Sequence, residues 1–145
     1  MSETPTRPLD EALDALDGPA EVAVEEPAGT TTIDVVESDR LGVRVRGLRI
    51  GHDSRDVVKH AGALPGRVRA VPAHLQPVEV DASLGGATLR TSPDEMRRGR
   101  FFEVNVRPDE TEVHRYRVEQ GERKREEFTL TRDQLRELID EVRGD

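Results

Sequence analysis

The sequence predicts an α+β fold: a mostly antiparallel β-sheet of five to seven short strands, with a C-terminal amphipathic helix packed on one face. Runs of alternating apolar and polar residues separated by turns predict the strands, and one strongly amphipathic pattern near the end of the chain predicts the helix. A length of 145 residues suits a single domain of ordinary size. We therefore expect one sheet and one hydrophobic core.

Residues 1–30 are expected to form a disordered acidic arm ahead of the domain. Up to Asp39 the chain has one basic residue against eleven acidic ones, and residues 1–30 lack aromatic residues. Such a composition buries too little apolar surface to offset an ordering cost of ~1–2 kcal/mol per residue. A short helix is predicted over 8–17, where Leu9, Leu13 and Leu16 share one face. This leucine stripe is a candidate partner-binding helix; docking on the protein's own domain and a frayed tail are the alternatives.

The folded domain is expected over residues 31–145. A β-branched run over 31–36 predicts its first strand, and residues 43–50 alternate apolar and basic side chains, as in a half-buried strand. Gly47 interrupts that alternation and predicts a bulge. A short helix over 54–61 is expected to follow.

The middle of the chain is interrupted by prolines, which restrict strands to an edge. We expect a short strand over 67–71 and a pair of strands over 78–81 and 87–90, joined by a glycine-containing turn. A helix start is predicted at Ser92 by its serine, proline and acidic residues in order.

The C-terminal third has the clearest patterns. Strand-like runs over 100–107, 111–119 and 125–130 are separated by turns and predict an antiparallel meander. Thr131 and Gln134 have the spacing of a capping box at the start of the last helix. One face of that helix is apolar, and its members are Leu135, Leu138, Ile139 and Val142. This helix is expected to pack on the sheet.

Basic residues are concentrated in the middle of the chain, where twelve of them stand against six acidic residues between Arg40 and Arg100. Twenty of the 22 basic residues are arginine, which forms planar bidentate contacts with carboxylates and phosphates. If the strands that carry them are neighbours, their arginines form a basic face. Its predicted members are Arg44, Arg46, Arg49, Arg67, Arg69, Arg97, Arg98 and Arg100.

No catalytic residue, metal site or cofactor is predicted. The chain has no cysteine, which excludes disulfides, thiolate metal sites and cysteine nucleophiles. Its four histidines do not have the spacing of a local zinc site. The sequence His52-Asp53-Ser54 contains the residue types of a catalytic triad, but three adjacent residues cannot form the required hydrogen-bonded chain.

These features favour a non-catalytic protein-interaction module: an adaptor, accessory subunit, inhibitor or structural assembly component. A protein partner would contact the basic strand face and the acidic flexible arm. The alternative is a nucleic-acid-binding protein that uses the arginine-rich strands, and the third candidate is a small enzyme without a recognisable motif. Because no run approaches the ~20 apolar residues of a membrane span, we expect a cytoplasmic protein with no membrane partner.

Overall fold

The computed structural model describes residues 8–53, 56–70, 75–81, 85–91 and 99–144. Within these ranges the chain forms three helices: α1 (Pro8–Asp14), α2 (Val57–Arg67) and α3 (Arg132–Arg143). The strands of the same ranges are β1 (Ala20–Glu26), β2 (Gly29–Ser38), β3 (Val43–Gly51), β4 (Leu75–Asp81), β5 (Gly86–Thr91), β6 (Arg100–Val106), β7 (Glu110–Glu119), β8 (Glu122–Glu126) and β9 (Phe128–Leu130).

All nine strands belong to one antiparallel sheet, in the order β1-β2-β3-β7-β6-β5-β4. Two short strands lie off this path, because β8 pairs with β7 and β9 pairs with the first residues of β3. The predicted α+β class and antiparallel sheet are confirmed, with more strands than the five to seven expected. The β4–β5 pair and the β6–β7 pair of the meander are as predicted, but the third strand expected over 125–130 is wrong: residues 122–126 form β8 beside β7, whereas residues 128–130 form β9 and pair with β3.

Helix α3 packs on one face of the sheet, as predicted. Its apolar residues Leu135, Leu138, Ile139 and Val142 are each at most 1% exposed and share one cluster with the buried residues of β3. The capping box is present, since Thr131 accepts from the Gln134 N–H and the Gln134 side chain accepts from the Thr131 N–H. The opposite face of the sheet, which we call the polar face, carries most of the charged side chains of β2 and β3.

A bulge interrupts β3 at the position predicted from Gly47. Asp34 of β2 lies opposite Gly47, whereas the next residue, Val35, lies opposite Val45. Arg46 is therefore the extra residue, and a bulge of this kind redirects the side chains on its strand. Arg46 remains exposed while Leu48 returns to the core.

The expectation that residues 1–30 form a disordered arm is wrong for residues 8–30. Helix α1 buries Leu9 and Leu13, and β1 pairs with β2 from Ala20 opposite Val35 to Glu26 opposite Gly29. The composition of residues 1–30 does not reveal this order. Their few apolar side chains are sufficient because they pack into a core formed mainly by the rest of the chain. The domain therefore begins before residue 31. Residues 1–7 lie outside the described part of the chain.

Helix α2 is longer than predicted and differently placed. It begins after Asp56, which accepts a hydrogen bond from the Lys59 N–H, and it ends at Arg67. Burial of Leu64 and Ala61 against the sheet extends the helix beyond Gly62, so no strand starts at Arg67. The helix start predicted at Ser92 lies outside the described residues.

Candidate functional site

The predicted basic face is divided by the fold. Arg44, Arg46 and Arg49 lie on the polar face, with side chains 45–55% exposed. Arg67 and Arg69 lie instead at the end of α2, where the Arg67 Nε donates to the Glu141 carbonyl at 2.9 Å. The expectation that all these residues share one face is therefore wrong, because Arg67 is the last residue of α2 and Arg69 follows its end, so neither lies on a strand.

Arg100 is also separated from the β3 arginines. It opens β6 on the side of the strand that carries Phe102 and Val104, whereas Phe101 and Glu103 are on the polar face. Its guanidinium lies 3.5 Å from the Glu126 carboxylate. Arg97 and Arg98, the remaining members of the predicted face, lie outside the described residues.

The three β3 arginines are each close to a carboxylate from another strand or loop. Arg44 lies 3.1 Å from Glu37, Arg46 lies 3.6 Å from Glu127, and Arg49 lies 3.6 Å from Glu21. These exposed pairs contribute ~0–1 kcal/mol each to stability, but they reduce the positive potential of the surface. The polar face is thus a surface of mixed charge, which corrects the prediction of a basic one.

A pocket opens in the polar face above Gly47. A cross-strand row of residues runs through it: Glu21 is opposite Asp34, Asp34 is opposite Gly47, the His114 ring lies against Gly47, and His114 is opposite Glu103. Gly47 leaves a gap in this row, and the cavity has a volume of about 290 Å³. Its lining consists of Glu21, Thr32, Asp34, Arg46, Gly47, Leu48, Arg49, Glu112, His114 and Arg125.

His114 lies over the floor of this pocket, which we call the Gly47 pocket. A Cβ atom at Gly47 would come within 2.4 Å of His114 Cδ2 and 2.7 Å of Nε2, so this close approach requires glycine. The His114 side chain is buried, and its Nδ1 atom has no hydrogen-bond partner among the described residues. Burial, followed by the charge of Arg125, lowers the pKa of His114 despite the opposing carboxylates of Glu112, Glu103 and Asp34. The imidazole is therefore neutral at pH 7, with one nitrogen that donates and one that accepts.

A cluster of arginines and aromatic rings borders the pocket on the β6–β7–β8 side. Glu103 is buried and accepts from Arg90 Nε at 2.9 Å and from Arg123 Nη2 at 2.7 Å. Burial acts to raise the pKa of Glu103, but the hydrogen bonds from these two arginines outweigh it and lower the pKa. The Arg123 guanidinium lies 4.1 Å from the centre of the Tyr116 ring, which stacks on Phe101. This cluster holds the pocket wall in place.

The sequence analysis missed both the pocket and this cluster. Glu103 is one residue of a predicted strand, and its partners Arg90 and Arg123 are 13 and 20 residues away in the sequence. The alternation around Phe101 and Phe102 showed that the two rings face opposite sides of a strand. Strand order was needed to identify what each ring contacts.

The α1 leucines predicted as a partner-binding helix are part of the protein's own core. Leu9 and Leu13 are 3% and 2% exposed, and Leu16 is partly buried against the same cluster. Arg132 of α3 secures the helix, since it lies 3.5 Å from Asp10 and 2.8 Å from Asp14. Docking on the domain, one of the alternatives considered for this stripe, is what the structure shows.

A partly buried ion network joins the N-terminal hairpin to α3. Glu26 accepts from Arg136 at 2.7 and 3.1 Å and from Arg143 at 3.0 Å, and Arg136 also pairs with Asp140. Arg143 donates further to the Gly51 and Gly29 carbonyls and to Thr31 Oγ1. Because every one of these contacts is internal, the network joins α3 to the edge hairpin of the sheet.

The described ranges contain no group of three or more histidine, aspartate or glutamate side chains arranged to hold a metal ion. His52 and His60 stack with ring centres 4.6 Å apart, and His52 Nε2 lies 2.6 Å from Thr111 Oγ1. Among the described helices, none is both long and apolar enough to cross a membrane. Comparisons of the chain with protein-family models, curated proteins and solved structures find no match, so its function is inferred from the chemistry of these side chains.

Proposed function

We propose that this protein is a non-catalytic protein-interaction module, such as an adaptor, accessory subunit, inhibitor or structural assembly component. The polar face of the sheet is its recognition surface. One observation carries the proposal: Arg44, Arg46 and Arg49 stand side by side on β3 with about half of each side chain exposed, on the face opposite the packed helix. Arginine is enriched at protein interfaces.

The mixed charge of this face favours a protein partner. Arg46 and Arg49 each hold a carboxylate at 3.6 Å, and such exposed pairs are exchanged for pairs with a partner at little energetic cost. A partner with a complementary alternation of charge would be selected by electrostatic complementarity, which fixes orientation and excludes wrong partners. Residues 8–26 of the acidic arm are not part of this surface as a flexible binding element, because helix α1 and strand β1 make most of them part of the folded domain.

Nucleic acid is the second candidate ligand. Arginines on adjacent strands neutralise phosphates when they are free to do so, but Arg44, Arg46 and Arg49 each have a carboxylate within 4 Å. The overall charge of −8 further opposes attraction of a polyanion. We therefore rank a protein partner first. A cytoplasmic location is part of the proposal, and fractionation of cells that produce a tagged chain tests it.

Two matched charge reversals test the proposed surface. Arg46→Glu/Arg49→Glu alters the polar face, whereas Lys59→Glu/Arg69→Glu makes the same change of charge at exposed positions on and after α2. Partners captured from the native organism with the unaltered protein are then measured against each variant by calorimetry at two salt concentrations. We expect at least a tenfold loss of affinity for the polar-face variant and less than a twofold change for the control.

Equal losses in the two variants would show that net charge, rather than the polar face, governs binding. Unchanged affinity in the polar-face variant would overturn the proposed surface. A 20-nucleotide single-stranded DNA at about 50 mM salt serves as a further probe, since salt-sensitive retention is the signature of phosphate contacts. Retention that the polar-face reversal abolishes would favour the nucleic-acid candidate instead.

A further inference from the structure

We propose that the Gly47 pocket binds a small zwitterionic ligand, of the size of a free amino acid or dipeptide, with Asp34 facing its ammonium group and Arg125 facing its carboxylate. The proposal is distinct from the protein-interaction function, because the two groups assigned to the ligand, Asp34 and Arg125, are not among the β3 arginines, although Arg46 and Arg49 line the same pocket. It assigns a ligand class to a cavity that the mixed-charge surface alone does not explain.

The first argument concerns which charges in the pocket are already paired. Arg49 lies 3.6 Å from Glu21, and Arg46 lies 3.6 Å from Glu127. Glu112 accepts from Arg107 at 2.9 Å. Asp34 and Arg125 are the lining residues of opposite charge that form no ion pair with any described part of the chain; Arg125 makes a long contact of 3.5 Å with the Tyr116 hydroxyl.

The second argument concerns the acidic side of the pocket. Glu21 and Asp34 are directly opposite each other on β1 and β2, where like charges are unfavourable at a separation of ~5 Å. One cation, Arg49, lies beside this pair and contacts Glu21. An ammonium group at Asp34 would supply the second counter-charge and relieve the repulsion.

The third argument is the buried imidazole. His114 is 9% exposed, lines the pocket, and its Nδ1 atom has no partner in the described structure. Its Nε2–Cδ2 edge lies over Gly47, where any side chain would occupy the same space. The Nε2 atom of this neutral imidazole can donate or accept one hydrogen bond at the pocket floor.

Size and charge balance define the ligand class. A volume of about 290 Å³ is at the lower limit of small-molecule sites, which span roughly 300–1,000 Å³. Three carboxylates and three guanidinium groups line the cavity, so a ligand of zero net charge with separated charges fits it better than a simple anion or cation.

The test follows the His114 ring by NMR in protein labelled at histidine, with the resonance assigned by its loss in His114→Gln. The probes are L-alanine and L-alanyl-L-alanine, which carry both charges at different separations. N-acetyl-L-alanine keeps only the carboxylate, and L-alaninamide keeps only the ammonium group. We expect a saturable shift with a Kd of about 1 mM or tighter for at least one zwitterion, and at least tenfold weaker binding of both single-charge analogues.

Asp34→Asn and Arg125→Gln should each weaken zwitterion binding at least tenfold. Glu25→Gln, an exposed carboxylate of β1 outside the pocket lining, should change it less than twofold. If Asp34→Asn does not fold, Arg125→Gln decides the outcome, because Arg125 is exposed and its substitution should leave the fold intact. No saturation with either zwitterion up to 20 mM (~20-fold above the expected Kd), equal binding of a single-charge analogue, or full affinity in the Arg125 variant would each overturn the proposal.

Discussion

Arg143 donates a hydrogen bond from Nη1 to Glu26 Oε1 at 3.0 Å, and this contact joins residues that are 117 positions apart in the sequence. The Arg143 side chain is 3% exposed and that of Glu26 is 17% exposed. The pair connects the last turn of α3 to the edge hairpin of the sheet. It makes the N-terminal segment, acidic as it is, a structural part of the domain.

Arg143→Met should lower the free energy of unfolding by about 1.5–3 kcal/mol, because it removes charged hydrogen bonds to Glu26, to the Gly29 and Gly51 carbonyls and to the buried Thr31 hydroxyl. Chemical denaturation measures this. Lys124→Met is the control: Lys124 pairs with Glu119 at 3.5 Å on the surface, and its loss should cost at most ~1 kcal/mol. Similar values for the two variants would contradict the structural role given to Arg143.

Leu13→Ala should destabilise the protein by roughly 2–5 kcal/mol, the usual cost of truncating a buried leucine. Leu13 is 2% exposed although it lies in the stretch with the most acidic composition. Leu41, which is 84% exposed, provides the comparison, and Leu41→Ala should leave the unfolding midpoint nearly unchanged. A negligible effect of Leu13→Ala would mean that α1 is not docked in solution.

Gly47→Ala should cost about 1–3 kcal/mol, because the new Cβ would overlap His114 and force the ring to move. Gly62→Ala in α2 has open space around it and should instead stabilise the protein by ~0.5–1 kcal/mol. In a His114→Ala background the cost of Gly47→Ala should fall by at least ~1 kcal/mol, which a double-mutant cycle measures. Additive effects would show that Gly47 and His114 do not contact each other.

Stability should decline as the pH falls from about 6.5 towards 4. The pKa of His52 is lowered to about 4 by burial and by the nearby His60 and Arg143, against the opposing charges of Asp109 and Asp53. Since the unfolded chain binds the proton first, this contribution is complete above the unfolded pKa of ~6.5 and is lost on acidification, at up to ~1.4 kcal/mol per pH unit.

Denaturation of the protein and of His52→Gln at pH 7, 6 and 5 measures this dependence. The free energy of unfolding of His52→Gln should change less with pH than that of the unaltered protein. Its absolute value should be lower, because the variant loses the contact with Thr111. Identical slopes would exclude His52 as a source of the effect. The carboxylates with lowered pKa are Glu26, Glu103 and Asp39, and they lose their contribution to stability mainly as the pH falls below their ordinary pKa values of 4.5, 4.5 and 3.8, so pH 5–7 chiefly reports the histidines.

Local patterns predicted much of the fold. The capping box at Thr131, the pairing of the strands at 100–107 and 111–119 and the bulge at Gly47 depend on residues close together in the sequence, and the structure confirms all three. The order of the N-terminal segment could not be predicted from its own composition, because its stability comes from residues that are distant in the sequence. Leu9 and Val22 join a core formed largely by later strands, and Glu26 is neutralised by arginines of the last helix.

The candidate site could not be derived from the sequence for a related reason. Acidic and basic residues are separated along the chain, but antiparallel pairing places β2 beside β3 and β1 beside β2, so Glu21 comes close to Arg49 across β2. The contact between Gly47 and His114 likewise depends on pairing of β3 with β7. Register between distant strands, rather than composition, determines the electrostatics of the polar face.

The link between Glu26 and α3 also bears on how the polypeptide matures on the ribosome. The glutamate is synthesised more than one hundred residues before Arg136 and Arg143, and N-terminal segments leave the ribosome first. In the nascent chain, the edge hairpin therefore lacks its two arginine counter-ions until the last helix has been synthesised. We therefore expect the nascent chain to become resistant to protease in a single step after the last helix is synthesised, and not strand by strand as synthesis proceeds.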